Sequence, residues 1–144
     1  MHSDEVVHAS SFFLRLGLGS TLFYLGAMKV FSATAQIVWL DWLKSVPLVQ
    51  PLLAIIWFNL IMYIELIGGL ALLGGVFTRY AAGTISVLLL TNLFLLNWYL
   101  PPELLGPWGP FVIKDLALLG AAITLMITGA PFWSIDELFR ESWE

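Results

Sequence analysis

The sequence LLAIIWFNLIMYIELIGGLALLGGVF, residues 52–77, decides the fold class of this chain. Its 26 residues are almost wholly apolar around one acid, Glu65. A helix of this length crosses the hydrocarbon core of a bilayer with some tilt. A carboxylate at that depth costs at least a few kcal/mol, so it normally faces the protein interior and has a partner. Glu65 is therefore the first candidate functional residue.

The composition of the whole chain indicates a membrane protein. Of its 144 residues, 60% are hydrophobic and only 11% are charged, whereas soluble domains are about 25% charged. The mean hydropathy is +0.91. This length allows one domain. The net charge of −4, without any basic run, excludes nucleic acid as a partner because nothing could neutralise its phosphates.

Several kinds of redox and metal centre are excluded by residue types alone. Cysteine is absent, so disulfides, iron–sulfur clusters, thiol relays and Cys-ligated zinc are ruled out. Both histidines, His2 and His8, lie in the N-terminal segment. A haem held between two transmembrane histidines is therefore excluded for this chain alone. We expect neither a metal site nor a covalently bound cofactor.

The chain contains more than one segment that is long and apolar enough to span a membrane. These segments cover about residues 12–31, 52–77, 80–99 and 111–130. We predict an all-α fold, a four-helix transmembrane bundle that forms one membrane domain. The first segment lacks a basic start and a small-residue cleavage site, so we interpret it as a retained helix. The very short break at residues 78–79 predicts a tight hairpin between the second and third spans.

An even number of spans places both termini on one side of the membrane, which we call side A; the opposite side is side B. Each side carries three Lys or Arg residues, so the positive-inside rule gives no orientation. Because short unprocessed N-termini often stay inside the cell, we expect side A to be cytoplasmic. The expected location is the plasma or inner membrane, with the chain crossing it several times.

The side B connections and the C-terminal tail carry many aromatic residues. Residues 36–44 form an amphipathic segment with two tryptophans, which predicts a short helix in the headgroup region. Residues 98–110 are rich in proline and aromatic residues and predict a stiff, non-helical loop. This loop suits a lid, a docking surface or an interfacial belt. Residues 131–144 predict a second short surface helix.

Charges and glycines share one face in each of the first two spans. At about 100° per residue, Arg15, Gly26 and Lys29 lie on one stripe of the first span, and Glu65 and Gly69 lie on one stripe of the second. We expect these faces to meet in a polar seam, since glycine lets helices approach closely. The two cations lie near opposite ends of the first span, each about 10 Å from its centre. The partner of Glu65 is left open between them, and a bridging water is also possible.

A second set of residues has the chemistry of a quinone site. Donors for carbonyl groups and flat surfaces for a ring are what such a ligand requires. The candidates in the side B half are Trp57, Asn59, Tyr63 and Asn92. Any membrane bundle contains residues of these types, so the signal is unspecific.

Four short motifs in a fixed order carry a resemblance to a known family. They are Arg15-x-Gly17, Gly26-x-x-Lys29, Glu65-x-x-Gly68-Gly69 and Leu73-Gly74-x-x-Phe77-Thr78-Arg79. With this order and spacing, about the first two-thirds of the chain resembles the DoxX/DoxD family of small four-helix integral membrane proteins. That family includes the membrane subunit of archaeal thiosulfate:quinone oxidoreductase. The resemblance implies that Arg15, Lys29, Glu65 and Arg79 match the recurring polar positions of the family.

The first functional hypothesis is a membrane subunit of a redox or respiratory complex that contributes to quinone binding or proton access. In it Glu65 serves as proton acceptor or hydrogen-bond partner, with Lys29 or Arg15 beside it. Because the chain has no evident redox centre, electrons must come from partner subunits.

A second hypothesis belongs to a different class, a non-catalytic structural or assembly subunit. Such a protein would dock onto a larger membrane complex through its aromatic loops and glycine faces. A small transporter is disfavoured, because four short spans without an internal repeat leave little room for alternating access.

Overall fold

The computed structural model describes residues 3–46, 49–96, 110–129 and 134–135, and every regular element in this part of the chain is helical. The helices are α1 (Ser3–Phe31), α2 (Ala33–Ser45), α3 (Pro51–Gly74), α4 (Thr78–Thr91) and α5 (Pro110–Thr128). α4 continues directly as a π-helical segment (Asn92–Leu96). The predicted all-α bundle is confirmed.

The turn between α3 and α4 differs from the prediction. The predicted break at residues 78–79 is wrong, because α4 already begins at Thr78 and the turn occupies residues 75–77. Gly75 ends α3 with φ +66°, a left-handed conformation that glycine adopts without penalty. The N–H of Val76 then donates to the carbonyl of Ala71 at 2.9 Å, which satisfies one free carbonyl of the helix end. Hydropathy alone does not detect this turn, since residues 75–77 are as apolar as the helix before them.

The short helix α2 contains the predicted amphipathic segment and begins almost where α1 ends. Ser32 separates the two helices and caps α2, its Oγ accepting a hydrogen bond from the N–H of Ala35 at 3.3 Å. The side-chain amide of Gln36 donates to the carbonyl of Val30 in the last turn of α1 at 3.0 Å. These bonds fix the bend at Ser32, after which α2 packs back against α3. The Pro/Trp-rich loop lies outside the described residues except for Pro110, and the predicted C-terminal helix does so except for residues 134–135.

Two clusters of buried apolar side chains hold the helices together. The central cluster joins α1, α3, α4 and α5 through Leu18, Leu22, Leu72, Ala82, Ile85, Leu89, Leu119, Ala122 and Leu125. The second cluster, here called the α2 cluster, joins α2, α3 and α4 through Leu43, Ala54, Phe58, Ile61, Met62 and Leu88. Trp39, Trp42 and Trp57 are partly buried against the α2 cluster. The first half of α3 is therefore covered by α2.

α1 and α3 approach each other closely at their glycines. A Cβ atom added at Gly26 would lie 2.6 Å from the backbone nitrogen of Leu66, and one added at Gly69 would lie 2.5 Å from that of Phe23. Only glycine allows this spacing. The expected meeting of the two glycine faces is therefore observed.

The outer surface of the bundle is apolar. Large hydrophobic side chains such as Phe13, Phe31 and Ile67 are more than half exposed. Two helical stretches in the described part of the chain, Ala9–Phe31 and Pro51–Gly74, are long and apolar enough to cross a membrane. Apolar side chains that face outward along such helices are suited to contact with lipid.

Candidate functional site

The structure brings Lys29 and Glu65 into direct contact. Lys29 lies in the last turn of α1 and Glu65 lies in the middle of α3. The lysine Nζ donates to Oε2 of the glutamate, forming a hydrogen-bonded ion pair. The side chains are only 3% and 8% exposed. A charge pair thus lies inside the bundle, on the face where α1 and α3 pack through their glycines.

Arg15 is not brought to Glu65. It lies near the middle of α1, 14 residues before Lys29, where its guanidinium is 5.6 Å from the centre of the Phe12 ring. Its Nη1 atom and Ser134 both border Gly75, the residue that ends α3. Arg15 is only 2% exposed, so it is as deeply buried as Lys29 but in a separate place. The sequence left Arg15 and Lys29 as alternative partners of Glu65, and in the structure Lys29 is the partner.

Trp39 covers the lysine from α2. The Nζ atom of Lys29 lies 4.6 Å from the centre of the Trp39 ring, a cation–π arrangement. The ring of Trp39 in turn meets that of Trp42 edge to face, with centres 5.3 Å apart. Because these tryptophans are three residues apart on a helix, they share a face with Leu43, which is fully buried. α2 therefore shields the Lys29–Glu65 pair from one side.

α5 contributes a second pair of charges. The Nζ atom of Lys114 lies 3.2 Å from Oδ1 of Asp115, and the aspartate side chain is only 8% exposed. The charges of both residues act electrostatically on Lys29 and on Glu65. Two cations and two anions from α1, α3 and α5 thus form a group of zero formal charge, here called the charge cluster. Adjacent residues of opposite charge gave the pair in the sequence, but its electrostatic effect on Lys29 and Glu65 depends on the packing of α5 against α1.

The predicted quinone residues divide into two groups. Tyr63 is 53% exposed on the outer surface, and the side-chain amide of Asn59 donates to the carbonyl of Ile55 in its own helix at 2.8 Å. By contrast, the Trp57 Nε1 and the Asn92 Oδ1 are buried atoms without a hydrogen-bond partner in the described part of the chain. Asn92 begins the π-helical segment, a feature frequently found at functional sites.

One residue of this kind was missed by the sequence reasoning. The Nε1 of Trp42 is also buried and has no hydrogen-bond acceptor among the described residues. Sequence reasoning placed the tryptophans of residues 36–44 in the headgroup region because a pair of tryptophans is typical of an interfacial belt. The available signal was the spacing of Trp39, Trp42 and Leu43, which puts all three on the packed face of α2.

The charge cluster gives this half of the bundle groups that can take part in acid–base chemistry. The helices could pack against each other without such groups. A buried carboxylate beside a buried ammonium can accept or release a proton while the cluster remains inside the protein. Removing either partner of such a pair leaves an uncompensated charge, which is typically destabilising by about 3–5 kcal/mol. Each charge of the Lys29–Glu65 pair therefore stabilises the other, and the nearby glycines let the two helices approach closely enough for the contact.

The helical bundle, its apolar outer surface and the two membrane-length helices define a membrane protein with a buried ion pair. A family model, DoxX, matches residues 10–98, more than half of the chain. The chain belongs to the DoxX family, as the order and spacing of its polar and glycine motifs predicted. Comparisons with curated proteins and with solved structures found no match.

Proposed function

We propose that this DoxX-family protein is a membrane subunit of a quinone-linked redox complex. In this proposal the Lys29–Glu65 pair accepts and releases protons close to a bound quinone. The observation that carries the proposal is the Lys29–Glu65 ion pair, which is buried inside a bundle whose outer surface is apolar. Polar pairing inside membranes stabilises by only about 0.6 kcal/mol on average. The glycines already join α1 to α3, so fastening these helices does not require charges.

Two of the predicted quinone residues have hydrogen-bonding capacity that suits a quinone. Trp57 and Asn92 carry buried polar atoms without a partner in the described part of the chain, and an indole N–H is a donor suited to a carbonyl oxygen. Phe58 and Met62 of the α2 cluster supply apolar surface nearby, of the kind that lines ligand sites. A bound quinone would supply redox chemistry, because its reduction to a quinol takes up two electrons and two protons.

Each residue of the pair has a separate role in this proposal. Glu65 accepts a proton at Oε2, the atom that contacts Lys29. Lys29 positions the carboxylate and compensates its charge, while Trp39 covers the ammonium and keeps water from that side. Electrons come from a partner subunit, since no cysteine-ligated centre can form in this chain.

Replacing Glu65 with glutamine tests the proposal. The amide oxygen can still accept the hydrogen bond from Lys29, but the group can no longer take up a proton. We expect quinone turnover per assembled complex, measured on complex purified from native membranes, to fall roughly tenfold or more. Tyr24→Phe is the control, because it removes a polar group from the exposed face of the neighbouring helix α1. Unchanged turnover in Glu65→Gln would contradict a proton-handling role.

The competing function, a structural or assembly subunit, predicts the opposite pattern. There Glu65→Gln would lower the yield of complex, and the complex that still formed would turn over quinone at the normal rate. Extraction of quinone and spectra for haem from the co-purified complex would identify its other components.

The membrane topology proposed for this subunit has four spans, with both termini in the cytoplasm. The absence of native cysteine allows a direct test with Ser3→Cys and Ser142→Cys. In intact cells, neither cysteine should react with a membrane-impermeant maleimide, and both should react after lysis. Labelling of only one of them in intact cells would contradict an even number of spans.

A further inference from the structure

Two buried indole groups, one on α2 and one on α3, have hydrogen-bonding capacity that the described part of the protein does not use. The Nε1 atoms of Trp42 and Trp57 are both buried without an acceptor among the described residues. An indole N–H can only donate. More than about nine in ten buried polar groups in proteins are hydrogen-bonded, and a buried donor without an acceptor is costly. Two such donors have the capacity to bind acceptors that lie outside the described residues.

Both indoles belong to the same wall of the bundle. Trp42 and Trp57 pack against the α2 cluster, to which Phe58 contributes an aromatic ring. Trp42 meets Trp39 edge to face, and Trp39 covers the ammonium of Lys29. A continuous series of side-chain contacts therefore runs from the Trp42 indole to the charge cluster.

The chemistry of this wall defines the ligand. It offers N–H donors, aromatic faces and aliphatic surface, with formal charge confined to the self-compensated charge cluster. A ligand that suits it is neutral, flat and apolar, and presents carbonyl oxygens as acceptors. An anionic head group would lack a cation of its own here, because Lys29 is already paired with Glu65.

We propose that Trp42 and Trp57 are the hydrogen-bond donors that hold the carbonyl oxygens of the quinone head group, so that α2 forms one wall of the binding site. This inference rests on the proposed quinone-linked function and assigns a new residue, Trp42, and a new element, α2, to the site. It also assigns specificity: the wall distinguishes a carbonyl-bearing ring from a plain hydrocarbon ring of similar shape.

The test compares two probes on the full-length protein in lipid nanodiscs. One probe is decyl-benzoquinone, and the other is decylbenzene, which has the same tail and no acceptor. Trp42→Phe and Trp57→Phe keep an aromatic ring but remove the N–H. We expect each substitution to weaken quinone binding by about fivefold to tenfold, the effect of losing one hydrogen bond, and to leave decylbenzene binding unchanged. Tyr24→Phe, on the exposed face of α1, should change neither affinity.

A second measurement does not depend on the variants being stable. The carbonyl stretch of isotope-labelled quinone should move to lower frequency when it binds the wild-type protein, because donated hydrogen bonds weaken the C=O bond. An unshifted stretch, or equal losses of affinity for both probes in the variants, would overturn the assignment of the two indoles. Unaltered quinone affinity in both variants, alongside impaired turnover in Glu65→Gln, would overturn only this inference. Absence of quinone binding to wild-type protein, alone and in its complex, would instead remove the proposed function.

Discussion

The two ends of the bundle bury similar residue types in different ways. At the end of the bundle that we predict to face side A, Ser11 donates to the carbonyl of Gly129 at 2.7 Å, joining α1 to the end of α5. The guanidinium of Arg15 lies over Phe12 and beside Gly75, where α3 ends. These polar groups meet the ends of helices, where backbone carbonyls need partners. They have the pattern of groups that fasten the structure.

The side B half has the opposite pattern. Lys29 of α1 pairs with Glu65 of α3, Lys114 pairs with Asp115 within α5, and the indole donors remain without an acceptor in the described residues. The comparison teaches that burial of a charged residue is not by itself a mark of function, since Arg15 and Lys29 are both 2% exposed. Polar capacity that the fold does not use is the more informative sign.

The largest expected effect comes from separating the central pair. Lys29→Met leaves the Glu65 carboxyl buried without its partner, and we expect a loss in the free energy of unfolding of about 3 kcal/mol. The measurement is unfolding in detergent, followed by circular dichroism. The double variant Lys29→Met/Glu65→Leu should recover most of that loss, because an apolar pair of similar volume often replaces a buried ion pair at little cost.

The double variant also separates stability from function. It should fold and assemble yet fail in quinone turnover, since the proton-accepting group is gone. If the double variant were as active as the wild type, the side B half would have the same fastening role as the side A end, and the contrast between them would disappear.

A smaller effect is expected from the glycines that bring α1 to α3. The Cβ atom of Gly26→Ala would clash with the backbone of Leu66, so the helices must move apart, at a cost of about 1–3 kcal/mol. Gly17→Ala is the matched control on the same helix, because nothing lies within 4 Å of its added Cβ. That substitution should be neutral or stabilising by up to about 1 kcal/mol. Equal melting temperatures for the two variants would show that close approach at Gly26 is not required.

Much of the fold follows from the sequence because hydropathy and spacing have direct physical causes. The apolar stretch around Glu65 predicts α3, and the shared stripe of Gly26 and Lys29 predicts the face of α1 that meets it. The position of the α3–α4 turn was not predicted, since it depends on the left-handed conformation of Gly75 and not on any change in hydropathy.

The site was predicted less completely than the fold. Sequence reasoning identified Glu65, but helix depth alone could not choose between Arg15 and Lys29, because long side chains reach about equally far from either end. Only the packing register of α1 on α3 decides that choice. Trp42 was missed because an amphipathic segment with tryptophans has two possible surroundings, lipid or protein, and the sequence does not distinguish them.

The smallest expected effect sharpens the comparison of the two ends. Ser11→Ala removes the hydrogen bond to the carbonyl of Gly129, and we expect the free energy of unfolding to fall by about 1 kcal/mol. Ser20→Ala is a control on the same helix, since its hydroxyl bonds only to its own helix at Gly17 and is exposed. Quinone affinity should be unchanged in both variants, because the side A end makes no contribution to the site. A loss of quinone affinity in Ser11→Ala as large as that in Trp57→Phe would mean that the two ends act as one unit, with ordering of the chain at side A transmitted through α1 to Lys29.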